Sequence, residues 1–225
     1  MTSDAEARVS SILGSVWGRR LQLLATHGSF VAGDTFPGFS DLDMVAVVGD
    51  GLDVPTATRC AEALDIDLSP ASYLQVTWVD AAAIEPRLVP GSFRLLVGDE
   101  PPEALVHTAV SLRLAGASWL SDLPALLRSD AGDWAASVGR RSHQLRLLVT
   151  RTKPSVRAWL TTMGEPPVAT YAAAWGPLMN AARRHDMGLA DEIQTLVDGL
   201  RAEERDDLSI GAVALHLLGR IAAHV

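Results

Sequence analysis

HGSFVAGDTFPGFSDLDMVAVV, His27 to Val48, joins a Gly-Ser pair to a hydrophobic run that opens with two aspartates one residue apart. The run DLDMVAVV is bounded by FPGFS before it and GDG after it, which is how a buried strand presents itself. Side chains alternate faces along a strand, so Asp41 and Asp43 project to one side, Leu42 and Met44 to the other. The two carboxylates then start from Cα atoms about 7 Å apart, close enough to share cations. Mg2+ favours such a set: one or two carboxylates, retained waters and the oxygens of a polyphosphate. At the other end of the stretch, Gly28 lets backbone approach a phosphate and Ser29 offers a hydroxyl and an N–H to its oxygens. Taken singly, a Gly-Ser turn and an Asp-x-Asp triplet are common, and their plain reading is a turn cap beside an edge-strand charge. Their conjunction points to transfer chemistry at a nucleotide phosphate, with Asp41 and Asp43 as metal ligands.

Outward from this stretch, Val9, Ile12, Leu13, Val16 and Trp17 recur at helical spacing and predict an amphipathic helix from about Ala5 to Trp17. RLQLLATHGS reads as a strand ending in a turn, and PTATRCAEAL (Pro55–Leu64) as a helix with proline in its first turn. YLQVTWVD and SFRLLVG supply the β-branched and aromatic residues of two further strands. The order helix, strand, strand, helix, strand, strand predicts a mixed α/β domain over residues 1–100. From Glu103 the pattern is helical almost throughout, with breaks expected at DEPPE, SDAGD, TKPS, MGEPP and RDDLS. The expected fold class is therefore α+β: an N-terminal mixed-sheet domain followed by an all-helical C-terminal domain over residues 101–225.

Composition narrows the function classes. With 48% hydrophobic and 20% charged residues, the 225-residue chain is ordinary for a globular protein. No apolar run approaches the roughly 20 residues of a membrane span, so no membrane partner and a cytoplasmic location are expected. Cys60 is the single cysteine, which excludes an internal disulfide and any multi-cysteine metal site. The formal net charge is -8, and residues 1–119 hold 15 acidic side chains against 7 basic ones. A nucleic-acid partner, whose phosphates call for a basic stripe, is thus not expected. The six histidines lack zinc-ligand spacing, and there is no Gly-x-Ser-x-Gly elbow of a serine hydrolase. The basic clusters GRRSH and RRHD and the tryptophans of the helical half read first as solvated faces and packing anchors.

GSFVAGDTFPGFSDLDMV, with serine directly before the first aspartate, resembles the motif of the nucleotidyltransferase superfamily typified by DNA polymerase beta. Within it, the stretch is most similar to the bacterial aminoglycoside (antibiotic) nucleotidyltransferases. The motif covers residues 28–48. What the resemblance implies is a nucleotidyltransferase domain in the N-terminal half and Mg2+ as cofactor. It also implies a nucleoside triphosphate, ATP first, as donor and a small-molecule hydroxyl as acceptor, for instance on an aminoglycoside-like antibiotic. Asp41 and Asp43 would hold the metal, and Gly28 and Ser29 would receive the phosphates, with Ser40 near them. Two positions depart from the pattern. Ala32 stands where an arginine is common, and Gln75 stands where a third carboxylate usually completes the site or takes the acceptor's proton. Asp80, on the opposite face of a regular strand, is a poor substitute, and Glu85 in the loop that follows is the acidic residue placed to reach back. The departures keep open a catalytically impaired nucleotide-binding or regulatory module, and a nucleotidylating member of a toxin–antitoxin pair is a separate alternative.

Overall fold

A computed structural model describes residues 3–36, 39–69, 71–136 and 139–224. The chain divides into two compact units, Met1–His107 and Thr108–Val225.

The first unit begins with α1 (Asp4–Trp17), started by a capping box. The Ser3 hydroxyl accepts from the Glu6 N–H, and the Glu6 carboxylate accepts from the Ser3 N–H at 2.6 Å. Its apolar stripe of Ala5, Val9, Leu13 and Trp17 is buried. There follow β1 (Leu21–His27), the single turn α2 (Ser29–Ala32), β2 (Asp41–Val48), α3 (Val54–Ala63), β3 (Tyr73–Asp80) and β4 (Phe93–Val97). Asp53 caps α3 and its proline sits in the first turn, where a missing N–H costs nothing. The strands form one sheet in the order β3-β2-β1-β4. β1 pairs antiparallel with both β2 and β4, whereas β2 and β3 are parallel, because α3 carries the chain back between them. The sheet is mixed and the fold is α+β, as the sequence pattern predicts.

β2 is buried on both faces, which is why it reads as a nearly unbroken apolar run. On one face Leu42, Met44, Ala46 and Val48 pack with Leu24 of β1, the α1 stripe and Cys60 of α3. On the other, Val45 and Val47 pack with Leu23, Ala25 and Val79 under Leu88 and Leu105. The covering segment is irregular and tied back on itself: the Arg87 and Leu88 N–H groups both donate to the Leu105 carbonyl. Residues 101–107 therefore belong with the first unit, and the second begins at Thr108.

The second unit is helical: α4 (Ala109–Ala136), α5 (Arg141–Thr162), α6 (Pro167–Ala172), α7 (Trp175–His185), α8 (Met187–Arg201) and α9 (Asp207–Ala223). Trp159 is 1% exposed, and its ring meets His185 and His224 at centroid distances of 6.2 and 6.1 Å. Two expected breaks are corrected. SDAGD lies inside α4, where Asp130 is buried and accepts from Arg151 of α5 at 3.2 Å instead of capping a helix. TKPS lies inside α5, which runs through Pro154 with Thr152, Ser155 and Val156 all buried around it. GDWAASVGRRSHQLRLLVTR, which runs without an expected break up to TKPS, is instead interrupted near Gly139 at φ 94°. Ser137 and Val138 of that stretch, and Pro37 and Gly38 of the expected FPGFS turn, lie outside the described residues. Among the described residues no helix is long and apolar enough to cross a membrane.

Candidate active site

The site grows from the end of β2 at which the apolar run starts. Alternation puts Asp41 and Asp43 on the same face as Val45 and Val47, past the edge of the covering segment, and both stay half-buried. Strand register then fixes their neighbours. Asp43 lies beside Gln75 on β3 and beside His27 on β1, and Phe93 of β4 lies beyond His27. Gln75, Asp43, His27 and Phe93 thus form one row straight across the four strands. One step outward, Asp41 lies beside Tyr73, which is 52% exposed. The Thr26 hydroxyl donates to the Asp43 carbonyl at 3.3 Å, fastening the backbone of the row.

Gly28 connects the two halves of the opening motif. Its φ of 75° already disfavours any side chain, and a Cβ built on it would stand 2.8 Å from Oδ2 of Asp43. The Asp43 carboxylate leans over the glycine, so the Gly-Ser turn and the second aspartate meet in space. Ser29 opens α2, whose single turn is closed by the Ala32 N–H to the Gly28 carbonyl and the Asp34 N–H to the Ser29 carbonyl, both 3.1 Å. Ser40 is buried and ties off the loop: its hydroxyl accepts from the Phe36 N–H at 2.7 Å and its carbonyl accepts from the Ser72 N–H at 3.0 Å. That pair of bonds positions the start of β2 against the start of β3.

The other acidic candidates are engaged elsewhere. β3 keeps unbroken register with β2 from Tyr73 to Asp80, so Asp80 faces away from Gln75, and its carboxylate accepts from the Ala82 N–H at 2.8 Å. Glu85 pairs with Arg87 at 2.8 Å on the surface. Among the described residues no three His, Cys, Asp or Glu side chains come together as a metal-binding group. In the helical unit, Arg184 and His185 of RRHD both reach Glu165, at 2.7 and 2.9 Å, and Asp186 caps α8 and pairs with Arg220. Hydrogen bonds from His185 and Arg184 hold the Glu165 carboxyl below its ordinary range. Trp159 and Trp175 are packing anchors, and Trp119 donates to Ser155 at 2.8 Å. His27, Tyr73 and Phe93 have no motif of their own, and only strand register brings them to the aspartates.

The whole chain superimposes on a known fold. A crystal structure of spectinomycin adenyltransferase AAD(9) from Enterococcus faecialis, determined with ATP and spectinomycin, matches with a TM-score of 0.62. The match covers 98% of this chain and 99% of that one, at 15% sequence identity. This chain shares the fold of that adenyltransferase. No family model and no curated protein matches the sequence, so the nucleotidyltransferase likeness outside residues 28–48 is carried by the fold.

Proposed function

We propose that this chain transfers a nucleotidyl group, AMP, from a nucleoside triphosphate to a hydroxyl of a small molecule in the cytoplasm. The observation that carries the reading is the meeting of Asp43 with Gly28, on the same face as Asp41, in a nucleotidyltransferase fold. In this reading the Gly-Ser turn receives the triphosphate, with glycine giving the closeness and Ser29 the donors. Asp41 and Asp43 offer hard oxygen ligands from one face, a donor set that fits Mg2+ when substrate oxygens and water complete it. Bound there, Mg2+ would neutralise charge on the triphosphate and on the leaving pyrophosphate. Ser40 holds the approach to β2 in shape through its bond from Phe36. The acceptor oxygen forms a bond to the α-phosphorus, the bond to the bridging oxygen breaks with its electron pair leaving on pyrophosphate, and the hydroxyl proton passes to water.

The neighbour's spectinomycin makes antibiotics of that kind the first acceptors to assay. Incubation with Mg2+, labelled ATP and a panel of hydroxyl compounds should give labelled product and pyrophosphate, and both should disappear in Asp41→Ala and Asp43→Ala. Transfer that survives both substitutions would sink the reading. Gln75 favours a second one, a nucleotide-binding module without turnover, because a neutral amide beside Asp43 takes no proton. That reading requires ATP binding with no transfer by the wild type to any acceptor.

A further inference from the structure

From the row across the sheet we infer that Gln75 selects the acceptor's chemical class: an acidic hydroxyl of the phenol type, in preference to an aliphatic alcohol. The inference rests on the nucleotidyl-transfer reading and concerns the same site. Gln75 is the direct β3 neighbour of Asp43, on the same face of the sheet as the two carboxylates, and it is exposed. Its amide donates and accepts hydrogen bonds but removes no proton. The two acidic side chains that come after it in sequence are turned elsewhere, Asp80 to the opposite face and Glu85 to Arg87. An acceptor that ionises by itself has no need of a base at position 75.

The magnitudes favour a phenol. A phenolic hydroxyl ionises near pH 10, whereas an alcohol resembles water at about 15.7. At neutral pH the phenolate is thus more abundant than the alkoxide by roughly a million-fold. Weaker nucleophilicity of the less basic oxygen takes back about half of that advantage on a logarithmic scale. A preference on the order of a thousandfold is left, enough to decide which acceptor is used. The phenolate oxygen attacks the α-phosphorus, the bond to pyrophosphate breaks and carries its electron pair away, and the proton has already gone to water. Tyr73 supports the same class. It is a half-exposed aromatic ring beside Asp41 on the face of the carboxylates, where it can stack on a planar acceptor.

The test measures pyrophosphate release with ATP and Mg2+ for a series of substituted phenols and a matched series of aliphatic alcohols. The wild type should prefer phenols on the order of a thousandfold in kcat/KM. Gln75→Glu should narrow that ratio at least tenfold by gaining alcohol transfer. Tyr73→Ala should raise KM for phenols about fivefold and leave alcohols unchanged. Equal use of the two series by the wild type, or a ratio that Gln75→Glu does not move, overturns the inference. His27, on the other flank of Asp43, is the control: His27→Asn should leave the ratio unchanged. Loss of transfer in that variant, restored by adding Gln75→Glu, would assign the proton to His27 and overturn the inference. Absence of transfer to every acceptor by both wild type and Gln75→Glu sinks the transferase reading itself, a result distinct from a flat ratio.

Discussion

The two faces of β2 divide stability from chemistry within eight residues. Leu42, Met44, Ala46 and Val48 face α1 and α3 and are at most 1% exposed. Asp41 and Asp43, interleaved with the first two of them, open onto the other face beyond the cover provided by Leu88 and Leu105. Because strand alternation is strict, neither set can drift onto the other's face without a register slip that would bury both carboxylates. The apolar face therefore fixes where the carboxylates point, and substitutions on the two faces should have opposite signatures.

The largest effect should come from the carboxylate face. Asp43→Ala is expected to lower transfer by at least about a thousandfold, the scale on which a preorganised charge acts in a transition state. Its thermal midpoint should stay within a few degrees of the wild type, since no apolar contact is lost. Gly28→Ala comes next. The added methyl enters a position at φ 75° and 2.8 Å from the Asp43 carboxylate, so transfer should fall about a hundredfold while Asn at 28 falls further. A large drop in stability from Asp43→Ala would break the division between the faces.

On the core face the signature reverses. Met44→Ala removes a side chain with no exposed surface and should cost about 3 kcal/mol of stability, read as a lower denaturant midpoint. Its transfer rate, measured where the variant is still folded, should stay within a few fold of the wild type.

The same contrast explains what could be read from sequence. In the first unit, the strands and helices are written in apolar alternation, proline and caps, and the elements fall where DLDMVAVV, YLQVTWVD and PTATRCAEAL place them. Of the neighbours of Asp43, Gln75 is marked by the motif resemblance, whereas His27 is not written there. His27 and Gln75 reach it through antiparallel and parallel register, which depends on how whole strands settle against a core. The helical unit misleads for a different reason. Asp130 and Pro154 carry the local signals of a break, but burial beside Arg151 and within the packed face of α5 outweighs them. The interruption near Gly139 coincides with its positive φ instead. Turn residues report local preference, and packing decides whether the preference is obeyed.

The core face also holds a carboxylate, and it shows how the chain treats a charge that it satisfies from within. Glu6 of α1 is fully buried, yet it accepts from the Ser3 N–H and from Arg94 of β4, both at 2.6 Å. Burial by itself would push its carboxyl up. The hydrogen bonds from the Ser3 backbone, Arg94 and the Ser3 hydroxyl outweigh that, with the Arg94 charge adding to them, and hold it below the ordinary range. A carboxyl lowered by folding stabilises fully above its unfolded value, about 4.3, and loses that contribution as the pH falls through the folded value. Glu6→Gln should therefore cost about 2 kcal/mol at pH 7, less than a fully enclosed pair because Arg94 is one-third exposed. The gap between variant and wild type should close as the pH is taken below 4. Titrating the denaturant midpoint of both proteins from pH 7 to 3 measures it directly, and a gap that does not narrow over that range would mean that packing around the side chain, not its charge, supplies the stability. At neutral pH the variant should transfer as the wild type does, because Glu6 lies on the face of the sheet away from Asp41 and Asp43.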